Sequence, residues 1–177
     1  MASRQRGISL IEPMIAIAVL AILLAMAVPA ASDFLKNQRI RTAAEALQNG
    51  LQMARAEAVR RNTNVQFVLG TGTTWSVQLA SDSSELQART GEEGTAGVIL
   101  TTAPAAATTV TFDGLGRRAA ANADASLVLT RISVDLDSAV LAAADTRDLR
   151  IDIKLGGEVR MCDPNPTVNS TDSRYCS

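Results

Sequence analysis

The 177-residue chain reads as an α+β protein, one long N-terminal helix with an antiparallel β-sheet domain beside it. Three observations carry that class. A 24-residue apolar run, Ile8–Ala31, leads directly into a helical seam. From Asn64 onward apolar residues alternate with polar ones, and turn-forming residues separate the alternating stretches. The two cysteines, Cys162 and Cys176, stand apart from both patterns, at the far end of the chain.

In the apolar run the only strongly polar residues are Ser9 and Glu12. A membrane-spanning helix needs roughly 20 predominantly apolar residues, so the run is long enough. A carboxylate at mid-bilayer costs about 2.5–3.5 kcal/mol on insertion scales, and less near an interface. Such a group reads as functional, and its partner has to be named. Cleavage after Gly7 supplies one: it frees the amine of Ile8 and makes Glu12 the fifth residue of the product. Two other readings compete. A secretory signal peptide would use Arg4 and Arg6 as its basic region and be cut at Ala25-Met26-Ala27 or Val28-Pro29-Ala30. Against it, Glu12 interrupts the apolar core, and the run exceeds the ~7–15 residues usual for one. The third reading is an uncleaved anchor. Pro13 directly follows Glu12 and removes a backbone donor. Irregular helix is expected around Glu12, with regular helix from near Pro13.

Past Pro29 the helical pattern continues. Ile40, Ala44, Leu47, Leu51, Ala54 and Ala58 recur every three or four residues, a narrow seam on one helix face. Glu57 is placed to pair with Arg61 one turn on. Arg55, Arg60 and Arg61 complement the negative end of the helix dipole, and Asn62 is the expected terminator.

The strand pattern starts at residue 64. Val65, Phe67 and Leu69, a Gly70–Thr73 turn, then Trp75, Val77 and Leu79 predict a hairpin over 64–80. The polar stretch 81–95 reads as an exposed loop. Strands are expected over 98–101, 108–113 and 127–136, with a linker at 103–107 and a turn at Gly114-Leu115-Gly116. Residues 138–147 are Ala-rich and give no preference. The last hairpin places Leu149, Ile151, Ile153 and Leu155 on one face, turns at Gly156-Gly157 and returns over 158–162.

Charge and composition narrow the function. The net charge is −1, and loss of residues 1–7 takes Arg4 and Arg6 and leaves −3, so no basic field argues for bulk nucleic-acid binding. Arg4 and Arg6 favour a cytoplasmic N-terminus, although Lys36, Arg39 and Arg41 flank the other side. Histidine is absent, and no nucleophile motif or phosphate-binding loop is present; the chain reads as a non-enzyme that needs no cofactor. An isolated late cysteine pair suits an oxidising compartment. A bridge over about 15 residues stabilises by roughly 3 kcal/mol in the chain-entropy treatment and would tie down a tail lacking apolar periodicity. In that tail Asp163, Asn165, Asn169 and Asp172 offer oxygen ligands without EF-hand spacing, and all are ordinary turn formers, so no metal is expected.

Two stretches resemble the type IV pilin-like proteins. Gly7, Ile8, Ser9, Leu10, Ile11 and Glu12 are similar to the class III leader junction of glycine, an apolar or aromatic residue, threonine or serine, leucine, isoleucine or valine, and glutamate. Ile8 stands where phenylalanine is usual. Leu51–Leu69 is similar to the "ARSEAxxRNxxV" segment of the GspH/FimT/FimU group of minor pilins and pseudopilins, with Ala54, Arg55, Glu57, Ala58, Arg61, Asn62 and Val65 in the matching places. The cysteine pair resembles the C-terminal disulfide loop of type IV pilins, which secretion-system pseudopilins mostly lack.

The resemblance implies the type IV pilin fold and a division into a leader (1–7), a transmembrane and filament-core helix half (8–31), an amphipathic half (32–62) and a β domain (63–177) with a disulfide loop (162–176). It implies cleavage after Gly7, N-methylation of Ile8, and roles in assembly for Glu12 and for Pro29, where the family's helix usually kinks. Implied partners are the major pilin, other minor pilins, the prepilin peptidase, the inner membrane and its assembly platform. The implied location is a single-pass inner-membrane protein of a Gram-negative bacterium with a periplasmic domain, later part of a surface pilus. The implied role is a minor pilin that initiates assembly or caps the tip; a GspH-type secretion pseudopilin is the alternative. FimT-type relatives bind DNA through a Gly-Arg-x-Arg motif, whose matching positions here are Gly157, Glu158, Val159 and Arg160. Glutamate in place of the first arginine reverses a charge needed at phosphate. Arg117, Arg118, Lys154 and Arg160 are the candidates for a small DNA-binding patch.

We predict that N-terminal sequencing and intact mass of the mature protein give a start at Ile8 with one methyl on its amine. A start near Ser32 would overturn the pilin-like reading in favour of a secretory signal peptide.

Overall fold

The computed structural model describes residues 10–91 and 94–176, with the side chains at positions 26, 27, 29 and 30 outside that description. One helix, α1, runs from Ile11 to Arg61. It begins two residues earlier than Pro13. Pro13 falls in the first turn, where backbone N–H groups have no intrahelical acceptor, so the ring is tolerated without irregular helix at Glu12. The chain divides into two units, one ending at Leu35 and one from Lys36 to Ser177. In the first unit apolar side chains point outward all round the helix, from Leu10 and Met14 through Leu20 to Leu35. A helix apolar on every side belongs in lipid or inside an assembly.

In the second unit the predicted seam is the face that packs. Ile40, Ala44, Leu47, Leu51, Ala54 and Ala58 are all fully buried in a single cluster that also takes in side chains of every strand pair described below. Gly50 lies on the same side. A Cβ there would stand 2.8 Å from the Trp75 ring and 2.9 Å from Phe67, so the missing side chain is the space into which that ring pair fits. Phe67 and Trp75 pack with ring centroids 5.8 Å apart.

Eight strands follow: β1 (Val65–Leu69), β2 (Trp75–Leu79), β3 (Glu85–Arg89), β4 (Val98–Ala103), β5 (Thr109–Phe112), β6 (Arg131–Leu136), β7 (Leu149–Ile153) and β8 (Val159–Cys162). They form two antiparallel four-stranded sheets rather than one, ordered β3-β2-β1-β5 and β4-β6-β7-β8. In the first, Val65, Phe67 and Leu69 oppose Leu79, Val77 and Trp75. In the second, Ile132 and Val134 oppose Ile151 and Leu149.

Apart from shifts of one or two residues, as where β4 runs on to Ala103, the strand limits differ from the sequence reading in three places. The expected loop 81–95 contains β3, an edge strand with one neighbour and mostly exposed side chains, so it carries no apolar alternation to read. The expected strand 127–136 begins only at Arg131. Residues 128 and 129 instead cross to β5, Val128 in a parallel bridge with Thr109 and Leu129 donating its N–H to the Thr109 carbonyl. Leu155 leaves the face of the last hairpin. The strand stops at Ile153, the turn closes by the Gly157 N–H on the Lys154 carbonyl, and Leu155 is 64% exposed.

Polar groups fix the loops. Asn122, buried, donates from Nδ2 to the Thr109 carbonyl (3.1 Å) and Ser126 Oγ (3.0 Å), while its Oδ1 accepts from Thr111 (2.9 Å). From α1, Asn37 holds both the Asp145 carbonyl and the Arg147 N–H, and Arg39 holds the Ala96 carbonyl. The Ala-rich stretch is thereby a set of turns tied to the helix. On the second sheet Asp152 pairs with Arg131 (3.0 Å) and Arg150 (2.9 Å). Nearby, Asp148 is half-buried and its Oδ1 has no hydrogen-bond partner. Burial first, then its hydrogen bond with Asp135, push the Asp148 carboxyl up to about 6.

Gly50→Ala gains about 1 kcal/mol of helix propensity but overpacks the ring pair at a cost of about 1–3 kcal/mol. We predict net destabilisation of about 1 kcal/mol in urea unfolding followed by the single tryptophan, Trp75, while Gln52→Ala on the exposed face is near neutral. Stability also depends on pH through Asp148. Folded Asp148 keeps its proton to about pH 6, whereas the unfolded chain loses it near pH 4. The native state therefore binds more protons between those values, and stability contributed by the protonated form is lost as pH rises through that window. With solvent screening of a half-buried group, roughly 1 kcal/mol is at stake. Asp148→Asn should raise stability by that amount at pH 7 and leave it unchanged at pH 3.5; equal effects at both pH values would refute the assignment.

Candidate functional site

Three regions carry the residues singled out in the sequence. The first is the head of α1. Gly7 and Ile8 lie outside the described residues, as does the side chain of Pro29. Glu12 lies in the first turn of α1 and is exposed among exposed apolar neighbours. A carboxylate is favoured at a helix N-terminus by the dipole. Among the described residues no helix is long and apolar enough to cross a membrane. The run read from the sequence, Ile8–Ala31, includes residues 8 and 9 and four side chains outside the description.

The second region is the C-terminal loop. Cys162 and Cys176 are bonded, with Cα atoms 5.1 Å apart. The loop closes further by backbone pairing, since the Asp163 N–H donates to the Arg174 carbonyl and Asp163 bridges Tyr175. Arg160 on β8 donates to the Ser173 carbonyl at 2.9 Å. The candidate oxygen ligands are spent on turns. Asp163, Asn165, Asn169 and Asp172 each accept from a backbone N–H two residues on, and Arg174 holds the Asp172 carboxyl down to about 2. The two sulfurs also lie within 4.8 Å of an Asp152 oxygen, but bonded sulfurs are neither thiolate ligands nor hydrogen-bond donors.

The third region is the helix exit with the turns packed on it, and here the "ARSEAxxRNxxV"-like segment acquires a structural account. Ala54 and Ala58 are buried. Glu57 pairs with Arg60 (2.6 Å) and Arg61 (2.8 Å), and the Arg60 hydrogen bond, then that of Arg61, holds its carboxyl below the usual range. Asn62 ends the helix at φ +48°, with the Thr63 N–H on the Ala58 carbonyl. A Cβ on Gly114 would lie 2.6 Å from the Asn62 Oδ1. Arg55 donates to the Gly116 carbonyl at 3.0 Å. That carbonyl in turn lies where a Cβ on Gly157 would be, and Gly157 has φ +78°, so the last hairpin turn is seated on the 113–117 turn through two glycines.

This seating brings Arg117, Arg118 and Lys154 to one end of the β domain, but not as a free cationic patch. Arg117 pairs with Asp113 at 2.9 Å, and Lys154 with Glu158 at 3.4 Å, the residue standing where the DNA-binding motif has arginine. Arg160 is committed to the C-terminal loop. Arg118 differs. Its N–H meets the Leu155 carbonyl, but its side-chain Nε and Nη1 are buried without a partner. Arg117 meets Asp113 across its own turn, whereas the Arg118 fork points where no described carboxylate pairs with it.

Comparison with known proteins agrees with this architecture. Residues 43–157 match the family described as type II transport protein GspH, and residues 2–28 match the prokaryotic N-terminal methylation motif. No curated protein sequence matches the chain. Among solved structures, the type IV minor pilin FimU of Pseudomonas aeruginosa, in space group P21, is similar in fold at 18% identity and TM-score 0.52, covering 72% of this chain and 91% of that one. The same protein in space group P65 matches at 19% identity and TM-score 0.49, covering 68% and 90%. The GspH match spans more than half of the chain, from within the seam through the helix-exit segment and the strands up to the last hairpin turn, so the chain belongs to the GspH family of type IV pilin-like proteins.

Proposed function

We propose that the chain is a minor pilin, a structural and non-catalytic subunit of a type IV pilus, acting in the complex that initiates assembly or caps the tip. The observation that carries the pilus over a secretion machine is the disulfide-closed loop 162–176 on a GspH-family domain headed by the N-terminal methylation motif. The fold shared with the minor pilin FimU supports the same reading. In this reading the peptidase cuts after Gly7, Ile8 is N-methylated, and residues 8–31 anchor the chain in the inner membrane with the β domain in the periplasm. The same apolar helix half then enters the filament core. Glu12 meets the terminal amine of a neighbouring subunit there, a charge-assisted contact in a water-poor setting. The partners are the major pilin, other minor pilins and the inner-membrane assembly platform. DNA is disfavoured, because Asp113 and Glu158 neutralise Arg117 and Lys154.

We predict that Glu12→Ala leaves membrane insertion and Gly7 cleavage unchanged and lowers the amount of this chain in sheared, purified pili by about tenfold or more, since truncating one partner of a desolvated charge pair costs about 2–5 kcal/mol. Immunoblots of membrane and pilus fractions give the comparison. Normal incorporation of Glu12→Ala would remove the assembly role of the carboxylate, and absence of wild-type chain from pili together with its recovery in a secretion complex would favour the pseudopilin reading.

A further inference from the structure

Between the ends of the two sheets lies an open groove of about 530 Å³. Its walls come from segments that topology brings together: Pro104 after β4, Ala125, Leu127 and Val128 on the crossing segment before β6, and Leu155 in the last hairpin turn. The lining is mainly apolar, and the Leu127 and Leu155 side chains are 55% and 64% exposed, with Leu115 on the adjoining turn 70% exposed. Among the described residues Arg118 is the one charged residue that lines it. Desolvation lowers the pKa of its guanidinium, which still stays protonated. Among the described residues no carboxylate pairs with it, and acids of the surrounding segments are engaged elsewhere: Asp113 with Arg117, Glu158 with Lys154, Asp124 with Ser126 and Asp152 with Arg131 and Arg150. The walls are held in place. Asn122 fixes the crossing segment, and the Arg118 N–H on the Leu155 carbonyl, with Gly116 against Gly157, fixes the floor.

A half-buried cation without a counter-ion, set among exposed leucines, is costly to the isolated chain and complementary to a ligand of opposite pattern. We propose that this groove docks a segment of a different filament subunit that carries one Asp or Glu flanked by apolar side chains. The carboxylate pairs with the Arg118 fork after a rotamer change, and the flanking side chains cover Leu127 and Leu155. A second copy of this chain, which has exposed acids of its own such as Glu85 beside Leu86, is an outcome the test separates. The proposal rests on the minor-pilin reading for the identity of the partner.

The test uses the full-length chain in producing cells with a photo-crosslinking amino acid at Leu127, and a parallel one at Ile17 in the apolar half of α1. The expected result is a crosslink from position 127 to another pilin-like subunit, mapped by mass spectrometry to an acidic residue with apolar neighbours. Arg118→Glu is expected to reduce it about tenfold or more, and reversing the charge of the partner's acid to restore it. Leu155→Asp, at an exposed position, gives the same loss without depending on how Arg118→Glu folds; an intact disulfide and unchanged unfolding midpoint check both variants. A crosslink from 127 to a second copy, a crosslink indifferent to both substitutions, or none at 127 while Ile17 links to filament subunits overturns the groove and spares the minor-pilin reading. Loss of subunit crosslinks at both positions in the wild-type background overturns both.

Discussion

The β domain depends on one narrow strip of helix. From Ile40 to Ala58 the seam combines three large side chains with three alanines, and each is withdrawn completely from water. Burial of the Ile40, Leu47 and Leu51 side chains is worth about 1.5–3 kcal/mol each. The alanines between them and Gly50 contribute closeness instead, letting Phe67 and Trp75 approach the helix backbone. Two four-stranded sheets have four edges and little inner face of their own. The shared core with the seam is what makes them one folded unit, and β5 is further covered along its outer side by the crossing segment.

The helix also sets the positions of turns far from it in sequence. Arg55 grips Gly116, Gly116 seats Gly157, and the Arg118 N–H grips Leu155. Asn62 crowds Gly114 in the same way. Family-typical residues at the helix exit thus act as the mount for the end of the β domain where the groove opens. The chemistry of that mount is backbone carbonyls and absent Cβ atoms, which tolerates few substitutions, while the leucines around it are free to vary with whatever covers them.

How much of this was legible in the sequence varies with the physics involved. The seam was readable because a helix repeats every 3.6 residues and every seam member is apolar. The Glu57 pairing and the Asn62 stop were readable because they are local. The β3 strand was not, since an edge strand with one neighbour needs no apolar face. Leu155 misled for the opposite reason: alternation continued one step past the last ladder pair, Ile153 with Val159, into a turn. The division into two sheets, the Asn122 network and the raised Asp148 all arise from residues that tertiary contacts bring together, and no local pattern announces them. The candidate DNA-binding residues show the same limit. Four cations near one motif looked alike in sequence; two have an acid four residues away, but these pairs sit in turns rather than a helix, so the fold is needed to show that they meet and that a loop carbonyl takes a third.

Glu12 and Arg118 are understood through this contrast. The chain is well supplied with carboxylates and guanidinium groups, and the β domain pairs them freely: Asp152 alone takes two arginines. An exposed carboxylate on an all-apolar helix half and a partnerless guanidinium on an apolar groove depart from that habit in opposite signs. Each is a poor arrangement for an isolated chain and a good one for a subunit, because desolvation makes a single complementary charge strongly selective at an otherwise greasy contact. Apolar surface alone would let such a helix and such a groove meet any neighbour. In the proposed reading one unmatched charge on each restricts which neighbours fit, which is the physical requirement on a protein that occupies a defined place among similar subunits.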